Sequence, residues 1–233
     1  MSEADPSSAE PTSTPTSSAM RRGLLIALSL VLVIALGFAI GRFSTFGASP
    51  SSAPASDSAE AGFARDMQVH HAQAVEMAME IYRKTDDPDL RVLAYDIATG
   101  QAGQRGEMYD WLVQWGLPQS GAPMMAWMTE SDAGHEHGGS SAPPLTDDQA
   151  REAMGMATDA EISALAAATG SDADCMFLSL MIRHHEGAIP MAEAVIELGS
   201  EPRVREVAQS MKATQTAEID AMESMQSRLG CSG

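Results

Sequence analysis

The chain contains one His-His element twice, and this internal repeat limits the available folds more than any other feature. Residues 67–78 and 181–192 both read Met-x-x-His-His-x-x-Ala-x-x-Met-Ala. The same offset, 114 residues, also aligns Pro88 with Pro202 without a gap. A register kept over about fifty residues indicates a duplicated structural unit that packs against its copy.

Each repeat is predicted to be a pair of antiparallel helices. In the first, apolar residues recur every three or four positions from Glu60 to Lys84, the spacing of one helix face. Asp87 and Pro88 then suit the N-cap and first position of a second helix, which ends at the stop signal 116–118. Two such hairpins bury their apolar faces best against each other, so we predict an all-α four-helix bundle.

The chain divides into segments of distinct composition. We predict a disordered cytoplasmic tail (1–20), a transmembrane anchor (21–42), a flexible linker (43–59) and a duplicated bundle (60–233), the last made of repeat 1 (60–117), a connecting loop with a short helix (118–171) and repeat 2 (172–231). Residues 118–146 are predicted to form an irregular loop. A capping box, Thr158-x-x-Glu161, then opens a short helix to about Ala168.

The anchor is an uncharged apolar run, 23–40, preceded by Arg21 and Arg22 and closed by Arg42. It is at the short end for a spanning helix, and the two preceding arginines favour an N-terminus inside the cell. We therefore expect a single-pass cell-membrane protein with an extracytoplasmic C-terminal domain. Cleavage of a signal peptide near residues 46–49 is the alternative, and it would leave a secreted domain.

The charge balance excludes some partners and favours others. Lys and Arg number 14 against 32 Asp and Glu, a formal net charge of −18. A surface this acidic repels nucleic acid and anionic lipid but attracts cations. Solubility in a salty or crowded exterior is the alternative reason for the charge. The 17 methionines are either core filling or soft ligands for monovalent copper and related ions.

The two cysteines are too few for a disulfide scaffold and lack the spacing of a zinc site. Cys175 lies at the beginning of one predicted helix, and Cys231 lies just past the end of its antiparallel partner. Because these ends are neighbours and the compartment is oxidising, we expect a disulfide between them.

Each hairpin also places polar residues on its buried face, where they are costly unless paired. Counted from the turn near Asp86, His70 should lie level with Gln101 and Gln104. The copy repeats this arrangement with His184, Gln215 and Glu218. The second histidine of each pair lies about 100° further round its helix, toward a neighbouring helix or the rim. We therefore expect the first histidines to be the inner ligands.

A methionine stands three residues before and seven residues after the first histidine of each pair. Imidazole with thioether favours a copper ion, with silver or zinc as alternatives, although zinc prefers carboxylate or thiolate beside histidine. The candidate metal ligands are Met67, His70, His71, Met77, Met181, His184, His185, Met191 and Glu218. A secondary, looser cation site in the connecting loop would use Met124, Met125, Met128, His135 and His137, with Met154 and Met156 further along the chain. The alternative is a flexible linker that contains these residues without forming a site.

The two copies differ beside the histidines. The second has Glu186-Gly187 and then Pro190, which should kink its helix; the first has Ala72-Gln73 and Glu76 there. We expect the second repeat to hold the tighter site. Glu76 and Glu186 follow the histidines instead of preceding them by three residues, which is the wrong order for a ferritin-like di-iron centre.

The stretch Asp174-x-x-Phe177-x-x-x-Met181-x-x-His184-His185-Glu186-Gly187-Ala188-x-x-Met191-Ala192, followed by Ile219-x-x-Met222, resembles domain-of-unknown-function family 305. The resemblance covers about residues 60–230. It implies an exported protein with a ferritin-like helical bundle, and some members are implicated in binding copper or silver. It also implies that the histidines and methionines named above, apart from the loop residues, are the ligands.

Three functions stay open from the sequence. The favoured one is a membrane-tethered extracytoplasmic protein that sequesters or hands over copper or silver. The second is a structural or protein-interaction module whose His/Gln layer sets the register of the bundle. A metal-dependent redox enzyme is the third and least favoured, so we do not predict an enzyme. A homo-oligomer is compatible with each of the three.

Overall fold

A computed structural model describes residues 53–128 and 145–231, together with Val31. The predicted anchor, apart from Val31, and the loop residues His135 and His137 lie outside these described residues. Within them, no helix is both long enough and apolar enough to cross a membrane. The anchor and the side of the membrane on which the bundle lies therefore stay predictions.

The described part of the chain is all-α and has no strand, which confirms the predicted all-α class. Its helices are α1 (Ala59–Lys84), α2 (Pro88–Gln114), α3 (Asp147–Ala153), α4 (Asp159–Ala167), α5 (Gly170–Leu198) and α6 (Pro202–Leu229). The four long helices are those of the two repeats. Helix α4 agrees with the predicted short helix, whereas α3 was not predicted.

Local capping explains where the helices begin. The side chain of Ser58 accepts a hydrogen bond from the amide of Ala61 at the start of α1. Asp87 does the same for Leu90 at the start of α2, with Pro88 in the first helical turn. These side chains satisfy amides that have no partner within the helix. Helix α5 is continuous through Pro190, and the kink proposed there stays a prediction.

The hairpins α1–α2 and α5–α6 meet through α1 and α5. One apolar cluster joins the first half of α1 to the second half of α5, and includes Phe63 and Val195. The other joins the second half of α1 to the first half of α5, and includes Ile81 and Phe177. The two helices are therefore antiparallel, and the buried histidines at their midpoints lie between the two clusters.

The ends of the hairpins are tied to each other by polar contacts that follow the internal repeat. The carboxylate of Glu60 accepts hydrogen bonds from the amides of Ser200 and Glu201 in the turn between α5 and α6. Its equivalent in the second repeat, Asp174, bonds to Thr85 in the other turn. These contacts fix the register of one hairpin against the other.

A disulfide joins Cys175 and Cys231, whose Cα atoms are 5.4 Å apart. It connects the second turn of α5 to the residue that follows the Gly230 C-cap of α6. This is the pairing expected from the antiparallel arrangement of the two helices. It holds the ends of the second hairpin together.

The first part of the connecting segment is folded against the bundle, where the sequence predicted an irregular loop. The amide of Met125 and the indole nitrogen of Trp127 both donate to the carboxylate of Asp66, each at 2.8 Å. Met124, Met125 and Met128 are partly buried against the first apolar cluster. Their thioethers are thus packed beside the bundle, and the secondary cation site proposed for this loop stays untested.

Candidate metal centre

Four histidines form a layer across the middle of the bundle. His70 and His71 lie on α1, His184 and His185 lie on α5, and all four are fully buried. Because α1 and α5 are antiparallel, the two pairs face each other, and the ring centroids of His70 and His184 are 3.6 Å apart with 32° between the ring planes. We call these four residues the histidine layer.

Three of the histidines bond to an oxygen acceptor through Nε2. His70 contacts the carbonyl oxygen of Met154 at 3.0 Å, and His71 contacts Oε1 of Gln104 at 2.8 Å. His185 contacts a carboxylate oxygen of Glu218 at 2.7 Å. An oxygen acceptor requires Nε2 to carry the proton, so the lone pair of a neutral ring lies on Nδ1.

Each of these Nδ1 atoms is buried and has no hydrogen-bond partner among the described residues, and neither ring nitrogen of His184 has one. Burying an unpaired polar atom costs about 1–3 kcal/mol, and such atoms call for a water, an ion or a function. An imidazole held through one nitrogen with the other lone pair free is the usual state of a metal-ligating histidine. The donor set therefore fits a metal ion.

Burial keeps His70, His71 and His184 neutral. It lowers the pKa of His70 to about 3 and that of His71 to about 4, with further lowering from the neighbouring histidines. Burial also lowers the pKa of His184 well below its ordinary value. Only the neutral ring has a lone pair to give, so protons do not compete with a metal ion at these rings near neutral pH.

The partners predicted for the histidines were partly wrong. His70 was expected to face Gln101 and Gln104, but its Nε2 contacts Met154, and Gln104 instead partners His71. The reason is that the connecting segment, not α2, covers the outer side of His70. The second histidines were placed toward a neighbouring helix or the rim; they reach the neighbouring helix and are fully buried.

Buried thioethers lie on both sides of the histidine layer. Met67 and Met191 belong to the first apolar cluster, and Met77 and Met181 belong to the second. Because α1 and α5 are antiparallel, Met67, which precedes the first histidine pair, lies in the same cluster as Met191, which follows the second pair. Met181 and Met77 are related in the same way in the other cluster. The first cluster also contains Met154, which lies in the connecting segment.

In the described part of the chain, no group of three or more His, Cys, Asp or Glu side chains is arranged to hold a metal ion. His70 and His184 lie ring against ring, which does not aim their nitrogens at one point. The layer therefore contains side chains of the right type, but they are not already arranged around a single metal position. Binding of an ion between the hairpins would require the stacked rings to turn or separate.

Residues 154–157, here called the clamp segment, cover one side of the layer. Next to α5, the Gly155 and Gly187 backbones approach so closely that a Cβ on Gly187 would lie 2.0 Å from the carbonyl oxygen of Met154. Next to α1, the side-chain amide of Gln73 bonds both the amide and the carbonyl of Ala157. Gln73 and Gly187 are equivalent positions of the two repeats, and they lie on opposite sides of the clamp segment. The side chain of Gln73 bonds the segment, whereas Gly187 has no side chain because the segment backbone fills that space.

Comparison with known proteins identifies the family to which this fold belongs. Residues 60–226 match the family model of DUF305, a domain of unknown function. The chain belongs to the DUF305 family. The crystal structure of a DUF305 protein from Streptomyces coelicolor is 39% identical, with a TM-score of 0.65, and the match covers 76% of this chain and 97% of that one. A DUF305 fragment from Deinococcus radiodurans is 30% identical, with a TM-score of 0.59 and coverage of 73% and 96%.

A third protein of similar structure is CopM, solved in Cu(I)-bound and Ag-bound forms. The Cu(I) form is 25% identical to this chain, with a TM-score of 0.51 and coverage of 71% of this chain and 94% of CopM. The Ag form is 25% identical, with a TM-score of 0.53 and coverage of 72% and 96%. Among curated proteins no match was found.

Proposed function

We propose that this DUF305 protein binds Cu(I) or Ag(I) outside the cytoplasm and sequesters the ion or hands it over. The ligands are the histidine layer and the thioethers beside it. The proposal depends mainly on one observation: three fully buried imidazoles donate through Nε2 and keep an unpartnered Nδ1 lone pair. The proposed ligands are Met67, His70, His71, Met77, Met181, His184, His185 and Met191, with Glu218 orienting His185.

The ligand chemistry favours a soft monovalent ion. Neutral imidazole and thioether select Cu(I) and similar ions, whereas zinc favours thiolate or carboxylate beside histidine. The similarity to CopM, a bundle solved with Cu(I) and with silver, supports the same choice. The acidic chain, with a net charge of −18, would concentrate cations near the bundle.

The extracytoplasmic location rests on two features. The apolar run at 23–40 with its flanking arginines predicts an anchor or a signal peptide. The disulfide between Cys175 and Cys231 is typical of proteins in an oxidising compartment. A membrane-tethered bundle could take up the ion where it enters the cell envelope, and a cleaved one could do the same in solution.

Competition for Cu(I) with a chromophoric chelator tests the proposal on the full-length chain. We expect binding with a dissociation constant below about 1 μM, that is, about 8 kcal/mol or more, with similar preference for Ag(I) and weaker binding of Zn(II). The paired substitution Met67→Leu and Met191→Leu keeps the volume of the first cluster and removes two thioethers. It should weaken Cu(I) binding by about tenfold or more.

The matched control is Met79→Leu with Met176→Leu, on the same two helices. These side chains are partly buried beside the second cluster and are not among the proposed ligands. The control pair should leave Cu(I) affinity unchanged. If both pairs bind equally well, the thioethers beside the layer are not ligands; if the parent chain does not bind Cu(I) or Ag(I), the function is wrong.

The second candidate is a structural role, in which the polar layer sets the register of the bundle. The ring-on-ring contact of His70 with His184 and the absence of a ready chelate in the described residues favour it. Replacing both residues by alanine separates the two functions. A structural layer predicts loss of stability with no change in the response to metal, whereas a metal site predicts that stabilisation by Ag(I) is lost as well.

A further inference from the structure

A narrow cleft between α2 and α6 opens at the surface and is lined by residues of both helices. Its outer end is formed by the exposed residues Asp96, Gly100 and Thr214, and its inner end by the buried side chains of Gln101 and Gln215. Its volume is about 30 Å³, which is room for one water-sized atom. We call it the access cleft.

The two glutamines at the inner end are buried without partners. Gln101 and Gln215 are each 4% exposed. The oxygen of both amides and the nitrogen of Gln101 have no hydrogen-bond partner within the described residues. The two positions correspond in the repeat, so an unpaired amide oxygen occurs on both walls. A leucine there would avoid the cost of burying an amide, which suggests that the oxygens serve a ligand.

The cleft adjoins the histidine layer through two of its lining residues. Gln104 and Glu218 also line it, and they are the residues that bond Nε2 of His71 and His185. An ion at the inner end would therefore be one residue away from the imidazoles. The clamp segment covers the layer near His70, where the contacts of Gly187 and Gln73 hold it.

We propose that the access cleft is the route by which Cu(I) or Ag(I) reaches the histidine layer, with the amide oxygens of Gln101 and Gln215 as transient ligands. The proposal rests on the proposed function. Amide oxygens are poor ligands for soft ions, so an ion held there passes on to imidazole and thioether. A conducting site must bind well enough to admit the ion and weakly enough to release it.

The charges at the cleft suit this role. Asp96 is exposed at the mouth, and the carboxylate of Glu218, 17% exposed, lies deeper. Two carboxylates along a narrow cleft raise the local concentration of a cation and its rate of association. No lysine or arginine is among the residues that line the cleft in the described chain.

The test is the rate at which the full-length chain takes Cu(I) from a chromophoric chelator complex in a stopped-flow experiment. The pair Gln101→Leu and Gln215→Leu fills the cleft with apolar atoms. We expect uptake about tenfold slower, with the affinity at equilibrium unchanged. The control pair Gln114→Leu and Gln209→Leu alters exposed glutamines of the same helices and should leave both quantities unchanged.

A second variant leaves the core intact. A Cβ on Gly100 or on Gly106 meets no atom within 4 Å, so Gly100→Lys adds a positive charge at the mouth without a clash. It should slow uptake by about tenfold, whereas Gly106→Lys, which adds the same charge away from the cleft, should not.

The outcomes separate this proposal from the function on which it rests. If the parent chain binds Cu(I) and the leucine pair takes it up as fast as the parent does, the cleft is not the route and holds only water. If the leucine pair releases Cu(I) faster than the parent and its equilibrium affinity falls by the same factor, the glutamines are permanent ligands and the proposal is wrong. If the parent chain takes up no Cu(I), the proposed function itself fails.

Discussion

Replacing Gly187 with alanine should destabilise the bundle, although alanine is the better helix former. A Cβ at this position would lie 2.0 Å from the carbonyl oxygen of Met154 and 2.6 Å from the amide nitrogen of Gly155. Both are backbone atoms, so the clamp segment must move away from α5. Overpacking of this kind costs about 1–3 kcal/mol.

The displacement has a second cost at the histidine layer. The carbonyl of Met154 that would be pushed away is the acceptor of the hydrogen bond from His70, and its loss costs about 1 kcal/mol. The intrinsic helix preference of alanine over glycine offsets about 1 kcal/mol. The free energy of unfolding should therefore fall by about 1–3 kcal/mol in total.

Gly103→Ala is the matched control, because it makes the same substitution in the interior of α2. No atom lies within 4 Å of its added Cβ, so it should stabilise the protein by about 1 kcal/mol. Urea denaturation of the full-length chain, followed by circular dichroism, measures both variants. A Gly187→Ala protein as stable as the control would mean that the clamp segment does not press on α5, and that His70 is not covered as described.

Three further predictions concern charge, pH and the disulfide. Burial lowers the pKa of His70 to about 3 and that of His71 to about 4, whereas a histidine of the unfolded chain has a pKa near 6.5. Below pH 6.5 the unfolded chain therefore binds more protons than the folded one, and the free energy of unfolding should fall by about 2 kcal/mol per ring from pH 7 to pH 5. A urea midpoint that does not change over this range would contradict the burial of the two rings. Burial and the nearby Asp87 and Asp86 raise the pKa of Asp174, so its ionised form is disfavoured in the fold, and Asp174→Asn should raise Tm at pH 7 and have less effect at acidic pH, where the native carboxyl is protonated. Replacing Cys175 and Cys231 with serine opens a loop with a sequence separation of 56 and should cost about 4 kcal/mol, measured as a shift in the urea midpoint that reduction of the parent chain should reproduce.

The long helices could be predicted from the sequence because their signals are local. In α1, the residues Phe63, Met67 and Ile81 recur at helical spacing, and all are fully buried. The caps at Asp87 and Thr158 are also local signals, and both accept the expected amide hydrogen bonds. The duplication then implied two hairpins packed together without any knowledge of distances.

The clamp segment could not be predicted, because its position depends on contacts between residues far apart in the chain. Ala157 is held by Gln73, which is 84 residues away. Nothing in residues 154–157 themselves is periodic. A local signal does mark the helix just before it: Thr146 and Gln149 form a capping box that opens α3, the same kind of motif that predicts α4.

The orientation of the histidines lies between these cases. Periodicity places His70 on the buried face but resolves its direction only to about 100°, one residue step. Whether His70 faces α2 or the connecting segment depends on how closely α1 and α5 approach each other. That distance is determined only by the packing of the whole bundle. The assignment of Gln104 to His70 instead of His71 is an error of one such step.

The two repeats differ where they touch the histidines, and this bears on which half binds more tightly. His71 is held by the neutral amide of Gln104, whereas His185 is held by the carboxylate of Glu218. A carboxylate on Nε2 raises the basicity of the ring and strengthens Nδ1 as a ligand. This supports the expectation that the second repeat binds more tightly, independently of Pro190.

The histidine layer lowers the stability of the fold, and this loss of stability argues that the layer binds a ligand. Each unpartnered Nδ1 costs about 1–3 kcal/mol, against a net stability of about 5–15 kcal/mol for a domain. Hydrophobic residues of similar volume in the same positions would fill the space between the two apolar clusters without this cost. An ion that binds only the folded state would return the stability by mass action, so a strong dependence of stability on Ag(I) follows from the same atoms that make the metal-free layer costly.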